Sequence, residues 1–457
     1  VVIKNGHVVT EDGVVKADVL IEDSVIAKIG ENLSGGEVID AAGKYVLPGG
    51  IDVHTHFCLD VGFAVAQDDF YTGTVAAACG GTTTIVDHPG FGPAGCALDH
   101  QIKHYHTLAS DKAVIDYSFH GVMQHVDGDV LNMMETLTVA GITSYKIYMT
   151  YGFKMSDEDI YAVMKRAKEL GVMITVHPEN DGLVNTRRRE LSESGCTAPK
   201  YHAVSRPEPC EAEAVGRVAQ ISAVAGDAPL YIVHLSNHFG MQVINLAKQN
   251  GLKNIFVETC PQYLLLDDSY YERDDGLKYI LSPPLRNKAN NALLWDDIQQ
   301  GGIDTIATDH CPFDYTLKQK LGGADFTKCP NGMPGVELRF PLMFSEGVMK
   351  GRISPEQFAR LCATNPAKLF GMYPQKGVIR QGSDADIVIV DPKKVYTVTH
   401  ERLHENVDYT PYEGVEMQGM IDRVISRGDV IVKDNEFVGQ KARGKFIKRG
   451  RPMLSVK

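Results

Sequence analysis

The sequence predicts an α/β fold: a (β/α)8 TIM-type barrel carrying a small β-sandwich built from both chain ends. Eight short, β-branched runs between residues 51 and 309 alternate with helical patterns, as β/α units on a parallel sheet do. Those units cover about 260 residues, the size of one barrel. Short strands punctuated by turn signals occur before the first unit and return near the C-terminus. At 457 residues the chain is too long for one compact core of average size.

Residues 1–48 read as antiparallel strands. Val1-Val2-Ile3, Val8-Val9, Ala17 to Ile21 and Val25-Ile26 are separated by Asn5-Gly6 and Asp12-Gly13 turns. The barrel strands are predicted at 51–54, 82–87, 115–120, 143–148, 172–177, 230–234, 254–258 and 303–309. Between them, Ser156 and Asp159 resemble a capping box, with Ile160, Val163, Met164 and Ala167 at helical spacing and Gly171 at the stop. Residues 211–225 and 289–299 also read as helices. The long interval from 177 to 230 must hold extra structure, including the Arg187-Arg188-Arg189 run, read as a solvated helix face. Ser354-Pro355-Glu356-Gln357 starts another helix, with proline at the first helical position. After Gly377 the short-strand style returns in Ala385 to Val390. Residues 1–48 and 376–457 are therefore expected to pair into one β-domain, with a catalytic barrel, 49–375, inserted between them. The basic stretch Lys441 to Arg451 reads as a solubilising tail, with a tether or subunit contact as the alternative.

Composition narrows the function classes. No run of about 18 apolar residues is available to span a bilayer, and the first residues lack the pattern of a signal peptide. A formal charge of -12 leaves no basic stripe for nucleic acid. The nine cysteines are scattered without a Cys-x-x-Cys pair, which reads as reduced cytoplasmic thiols and not as a disulfide frame.

The chemistry gathers at strand ends, where barrel enzymes carry their catalytic residues. In the run ending Val53-His54-Thr55-His56, side chains at i and i+2 share one side, so both imidazoles can reach one metal ion. The fourth strand carries Lys146, the fifth His177, the sixth His234 and the eighth Asp309. Lys146 lies in an apolar strand, where an unpaired ammonium is costly. The residues alone leave two solutions open. One is an ion pair with a neighbouring carboxylate. The other is a neutral amine that captures carbon dioxide and becomes a carbamate able to bridge two cations.

His54-x-His56, Lys146, His177, His234 and Asp309 within Ala307-Thr308-Asp309-His310 resemble the metal-ligand set of the cyclic amidohydrolases. Ser282-Pro283-Pro284-Leu285-Arg286 and Pro330-Asn331-Gly332-Met333-Pro334-Gly335 are similar to loops of the hydantoinase and dihydropyrimidinase branch. The resemblance covers essentially the whole chain. It implies two divalent metals per subunit (zinc, manganese or cobalt). His54, His56 and Asp309 would hold one and His177 and His234 the other, with N6-carboxylated Lys146 between them. It further implies a hydroxide shared by the metals as nucleophile, Asp309 as proton carrier and Tyr151 as donor to the developing oxyanion. Ser282 and Asn331 would grip the ring amide, and the subunits would form a homotetramer.

The implied substrate is a small cyclic amide or ureide. A 5-aryl or 5-alkyl hydantoin of D configuration, opened to the N-carbamoyl amino acid, suits the apolar loops after the first and fourth strands. Phe63, Val65 and Phe153 are the expected specificity residues. Dihydropyrimidinase shares the same catalytic set, and allantoinase matches the Ser282 and Asn331 loops less well. Dihydroorotase calls for a cation two residues after the second histidine, where this chain has Cys58. A non-catalytic scaffold of the same fold would have lost its metal ligands, and here every position is filled.

Overall fold

The computed structural model describes residues 1–456. Five strands come first: β1 (Val2–Thr10), β2 (Gly13–Glu22), β3 (Val25–Gly30), β4 (Val38–Asp40) and β5 (Tyr45–Pro48). The two turn signals in this region act differently. Asp12-Gly13 closes the β1–β2 hairpin, whereas Asn5-Gly6 lies inside β1 and shifts its register against β2. Asn5 takes φ 63°, and its N–H donates to Asp18 Oδ1 at 2.9 Å. An asparagine that tolerates the left-handed region has made a bulge here instead of a turn.

The barrel strands are β6 (Gly50–Thr55), β7 (Thr82–Asp87), β8 (Asp116–Phe119), β9 (Gly121–Val122), β10 (Ser144–Tyr148), β11 (Met173–His177), β12 (Leu230–Ile232), β13 (Ile255–Thr259) and β14 (Thr305–Ile306). The predicted strand 115–120 forms only β8, and the two-residue β9 that follows His120 lies beyond it, so the barrel consists of two arcs, β6–β7–β8 and β9 to β14. His56 N donates to His310 O at 2.9 Å, and a parallel bridge from Thr55 to His310 closes the circle. All the strands within the arcs pair in parallel. Alternation then sorts their side chains: Tyr145, Ile147, Ile174 and Val176 pack outward under the helices, which leaves Ser144, Lys146 and Tyr148 for the interior.

The helices follow their sequence signals. Ser156 caps the helix Asp157–Leu170 by accepting from Asp159 N, and Gly171 ends it at φ 68°. Ser354 and Gln357 form a complete capping box. Strands β15 (Ile387–Thr397), β16 (Glu416–Ser426), β17 (Asp429–Lys433) and β18 (Glu436–Phe437) join the first five in one nine-stranded sheet. Its order is β18-β17-β16-β15-β5-β1-β2-β3, with β4 against β1. The sheet curls: Val25 of β3 bridges Asp384, just before β15. Ile3, Val8, Val19, Ile21, Val46, Ile387, Ile389 and Ile425 fill the space it encloses.

The basic C-terminal stretch is not a solvated tail, and residues 444–453 do not belong to this sheet. Because β8 stops pairing where β9 takes over, its lower edge would be left with orphaned backbone groups. The C-terminal segment fills that place. Tyr117 N donates to Lys445 O at 3.0 Å, Ile447 N to Tyr117 O at 2.7 Å and Arg449 N to Gly141 O at 3.1 Å. Arg449 is buried, with its guanidinium on Ser118 Oγ and Phe119 O.

A second tie between barrel and sheet is ionic. Lys376 Nζ lies 2.6 Å from Asp116 of β8, and 2.8 Å from both Asp384 and Asp386. Lys376, Asp116 and Asp386 are buried, and Asp384 is partly exposed. Removing the cation leaves the carboxylates facing one another, so Lys376→Met is expected to cost about 3–5 kcal/mol. Denaturant unfolding of the intact chain measures this.

Candidate metal centre

Six predicted residues converge at one end of the barrel, all lining a cavity of about 680 Å³: His54, His56, Lys146, His177, His234 and Asp309. Ring nitrogens Nε2 of His54 and of His56 each lie 3.1 Å from Asp309 Oδ1. His234 Nε2 is 2.9 Å from His177 Nδ1. His54, His234 and Asp309 present ligand atoms within 4.8 Å of one another. Lys146 sits mid-strand in β10, not at its end, yet its interior-facing side chain reaches the same space.

The outer faces of the histidines are held by carboxylates that the sequence reading did not assign. Glu258 Oε1 accepts from His54 Nδ1 at 2.6 Å and from His234 N at 2.9 Å, while Tyr231 Oη donates to Glu258 Oε2 at 2.8 Å. Glu179 Oε2 accepts from His177 Nε2 at 2.7 Å and lies 2.5 Å from Arg206 Nη1. Such partners fix the tautomer and aim the other ring nitrogen inward. A signal for both was present: Glu258 stands on the seventh strand, where the strand-end rule applies, and Glu179 is two residues past His177.

This donor set fits divalent cations. His54 Nε2, His56 Nδ1 and His234 Nδ1 are buried without an aligned hydrogen bond. Burial alone would lower the His54 pKa, but Glu258 beside Nδ1 carries it up to about 9. A cation on Nε2 takes the place of that proton. Burial pulls Lys146 down to about 8, with Asp309 and Glu258 opposing. No carboxylate oxygen lies within 4.0 Å of its amine among the described residues, so the ion-pair solution has no partner. A buried amine with a low pKa has the neutral form that carbamate chemistry requires.

Backbone strain concentrates here. Asp309 takes φ 56°, His234 φ 38°, Tyr151 φ 70° and Cys58 φ 56°, all in the left-handed region that side-chain-bearing residues avoid. Tyr151 overhangs the cavity, its ring 5.2 Å from that of His177, and its hydroxyl stands beside the buried Ser282 Oγ. Ser282 and Asn331 both line the cavity.

Their two loops are fastened from behind. Arg286 of the Ser282 loop reaches Ser236 Oγ at 2.9 Å and Glu211 at 3.2 Å, next to the His234 strand end. Gly332 N donates to Ile280 O, and Gly332 takes φ 148°, where a Cβ would meet Cys311 O at 2.2 Å. Lys318, fully buried, donates to Ile280 O at 2.9 Å and Gly332 O at 2.6 Å, joining the Ser282 and Asn331 loops. The sequence offered no motif for it.

Of the expected specificity residues, Phe63 and Phe153 line the cavity. Phe153 packs against Phe91, 4.1 Å between ring centres, an aromatic the sequence reading missed. Val65 does not line it. Asp60 and Val65 are bridged, and alternation buries Ala64 and Ala66 against Cys311 and Phe313 while turning Val65 out to solvent. The Arg187–Arg189 run is only partly a solvated face, since Arg188 turns in to the cavity.

A model of the amidohydrolase family matches residues 45–431, and the chain belongs to that family. Within it, the chain is 52% identical to a D-phenylhydantoinase of Escherichia coli over 98% of both chains. Solved structures superpose closely. A D-hydantoinase from Bacillus sp. AR9 gives a TM-score of 0.96 at 45% identity, covering 98% of this chain and 99% of that one. A dihydropyrimidinase from Brevibacillus agri gives 0.96 at 44%, covering 99% of each.

Lys318→Met is expected to lower stability by about 2–4 kcal/mol, because the carbonyls it holds lose their buried donor. Thermal denaturation of the variant beside the wild type reads this directly.

Proposed function

We propose that this chain is a metal-dependent cyclic amidohydrolase that opens 5-substituted hydantoins, of D configuration, to N-carbamoyl amino acids. The observation that carries the reading is the single cavity in which the six ligand-type side chains meet Tyr151, Ser282 and Asn331. When bound, two divalent cations would polarise the ring carbonyl and acidify a water. His54, His56 and Asp309 would hold one, His177 and His234 the other, with Lys146 as its carbamate between them.

The chain's own groups do the rest. Asp309 accepts the proton of the attacking water and delivers it to the ring nitrogen as the C–N bond breaks. The Tyr151 hydroxyl donates to the carbonyl oxygen as negative charge develops there, a kind of contact worth about 3 kcal/mol. Ser282 and Asn331 bind the ring amide, held in register by Lys318 and Arg286. Leu59, Val61, Phe63, Phe91 and Phe153 supply an apolar wall for an aryl or alkyl substituent. Dihydropyrimidine ring opening uses the same groups, and the apolar wall favours the hydantoin.

The same reading includes a homotetramer, supported by exposed apolar side chains such as Phe239, Leu246 and Leu293. It also includes a cytoplasmic setting, supported by nine unpaired cysteines. No helix among the described residues is long and apolar enough to cross a membrane.

Turnover of D-5-phenylhydantoin is expected to exceed that of dihydrouracil when the two are compared side by side. A strong preference for dihydrouracil would move the chain to the other branch. Chelation should abolish turnover, and zinc or manganese with bicarbonate should restore it. Lys146→Ala is expected to lose paired metal loading by elemental analysis, with partial rescue of activity by short carboxylic acids. Full metal content in that variant contradicts the bridging role.

A further inference from the structure

Two basic side chains other than histidine line the cavity: Lys146 in its floor, and Arg188. Arg188 lies on the helix Asp181–Glu193, between the exposed Arg187 and Arg189, and is itself half-buried. The other arginines nearby are neutralised. Arg206 lies on Glu179, Arg187 pairs with Glu190, and Arg286 lies on Glu211. Arg188 has no carboxylate within 4.0 Å among the described residues. Its one hydrogen bond runs from Nη2 to Thr327 O at 2.6 Å, which leaves Nε and Nη1 uncommitted.

A guanidinium presents five donors in a rigid fork matched to a carboxylate. Half-burying that fork with no counter-ion is unfavourable unless an anion completes it. The acidic side chains lining the same cavity do not serve. Asp309 is taken up by His54 and His56, and Asp60 accepts from Gly62 N within its own turn. Asp325 and Glu179 also act on Arg188, but from beyond ion-pair distance, Asp325 accepting from Thr327 in its own turn and Glu179 held by Arg206. The remaining source of a direct anionic partner is the molecule that enters the cavity. The ring itself is recognised at the metal end by Tyr151, Ser282 and Asn331, so the charge must sit on the exocyclic group.

We propose that Arg188 is a carboxylate-binding residue, and that the enzyme accepts hydantoins whose 5-substituent ends in a carboxylate. This rests on the ring-opening reading above. The bond chemistry is unchanged: water adds to the ring carbonyl carbon, the C–N bond breaks, and the nitrogen takes the proton. The product is an N-carbamoyl amino acid with an acidic side chain. Cavity space supports an addition of this size, since 680 Å³ lies well inside the range of about 300–1,000 Å³ typical of small-molecule sites.

The bland alternative is that Arg188 merely pins its helix to the Phe326–Lys328 turn through Thr327 O. A pin is indifferent to substrate charge, and this separates the two. The test compares 5-carboxymethyl- and 5-(2-carboxyethyl)hydantoin with their uncharged carboxamide counterparts in the metal-loaded enzyme. In the wild type, kcat/KM for the acid is expected to exceed that for the amide by about tenfold at one chain length or both, mainly through KM. In Arg188→Met that acid-to-amide ratio should collapse to one or below, and Arg188→Lys should recover part of it. An equal acid and amide rate in the wild type, or a ratio that survives Arg188→Met, overturns the proposal. Phenylhydantoin run alongside distinguishes the failures: if it too is inert in the metal-loaded enzyme, the ring-opening reading has fallen and the proposal with it.

Discussion

Everything at the working end of this barrel depends on burying imidazoles, an amine and carboxylates where water cannot satisfy them. A buried polar group without a partner is expensive, and several of them in one cavity would unfold the barrel mouth if left to themselves. Glu258 is the main restraint. It accepts from the side chain of His54 on the first strand, from the backbone of His234 after the sixth and from Tyr231 within the sixth, while standing on the seventh. One carboxylate thus fixes three strands relative to one another and turns the His54 imidazole inward. Glu179, itself held by Arg206, does the same for His177. What is left over points at the cavity: ring nitrogens without aligned partners, and a lysine whose charge burial disfavours. Divalent cations would supply the missing interactions, so the fold's polar deficit and its proposed chemistry are the same feature.

The second layer is made of loops, which cannot rely on strand pairing for their position. The Ser282 and Asn331 loops are far apart in sequence, yet Lys318 binds the carbonyls of both. Arg286 ties the first of them to the His234 region. These cations are held by carbonyls, a hydroxyl and one buried carboxylate, and each is spent on structure. Arg188 differs because most of its donors are not spent. That contrast, more than its position alone, marks it as a binding group.

Much of this was legible in the chain. The β-branched apolar runs located the barrel strands apart from the short β9, and the strand-end rule pointed to the six ligand-type residues although Lys146 stands mid-strand, because those signals are local and the chemistry demands particular side chains. What failed was what depends on distant neighbours. Asn5-Gly6 reads as a turn until β2 and Asp18 are seen to hold it in a bulge. The basic C-terminal stretch reads as solvated until the early end of β8 creates an edge for it to cover. Val65 reads as part of an apolar loop, but the Asp60–Val65 bridge decides which of its neighbours point inward. Lys318 has no motif because its partners are backbone carbonyls, which every residue possesses.

The division between legible and hidden residues follows the division between reaction and selectivity. Metal-ligating groups must be histidine, carboxylate or carbamate, so chemistry constrains the letters themselves. Groups that shape the substrate pocket need only the right size or charge at the right point in space. Phe63, Phe91 and Phe153 reach the cavity from three different βα loops, and Arg188 reaches it from a helix inserted after the fifth strand. Any of these loops can therefore vary without disturbing Glu258 or the histidine it aims. The barrel mouth separates a rigid, overdetermined floor from walls that are free to differ.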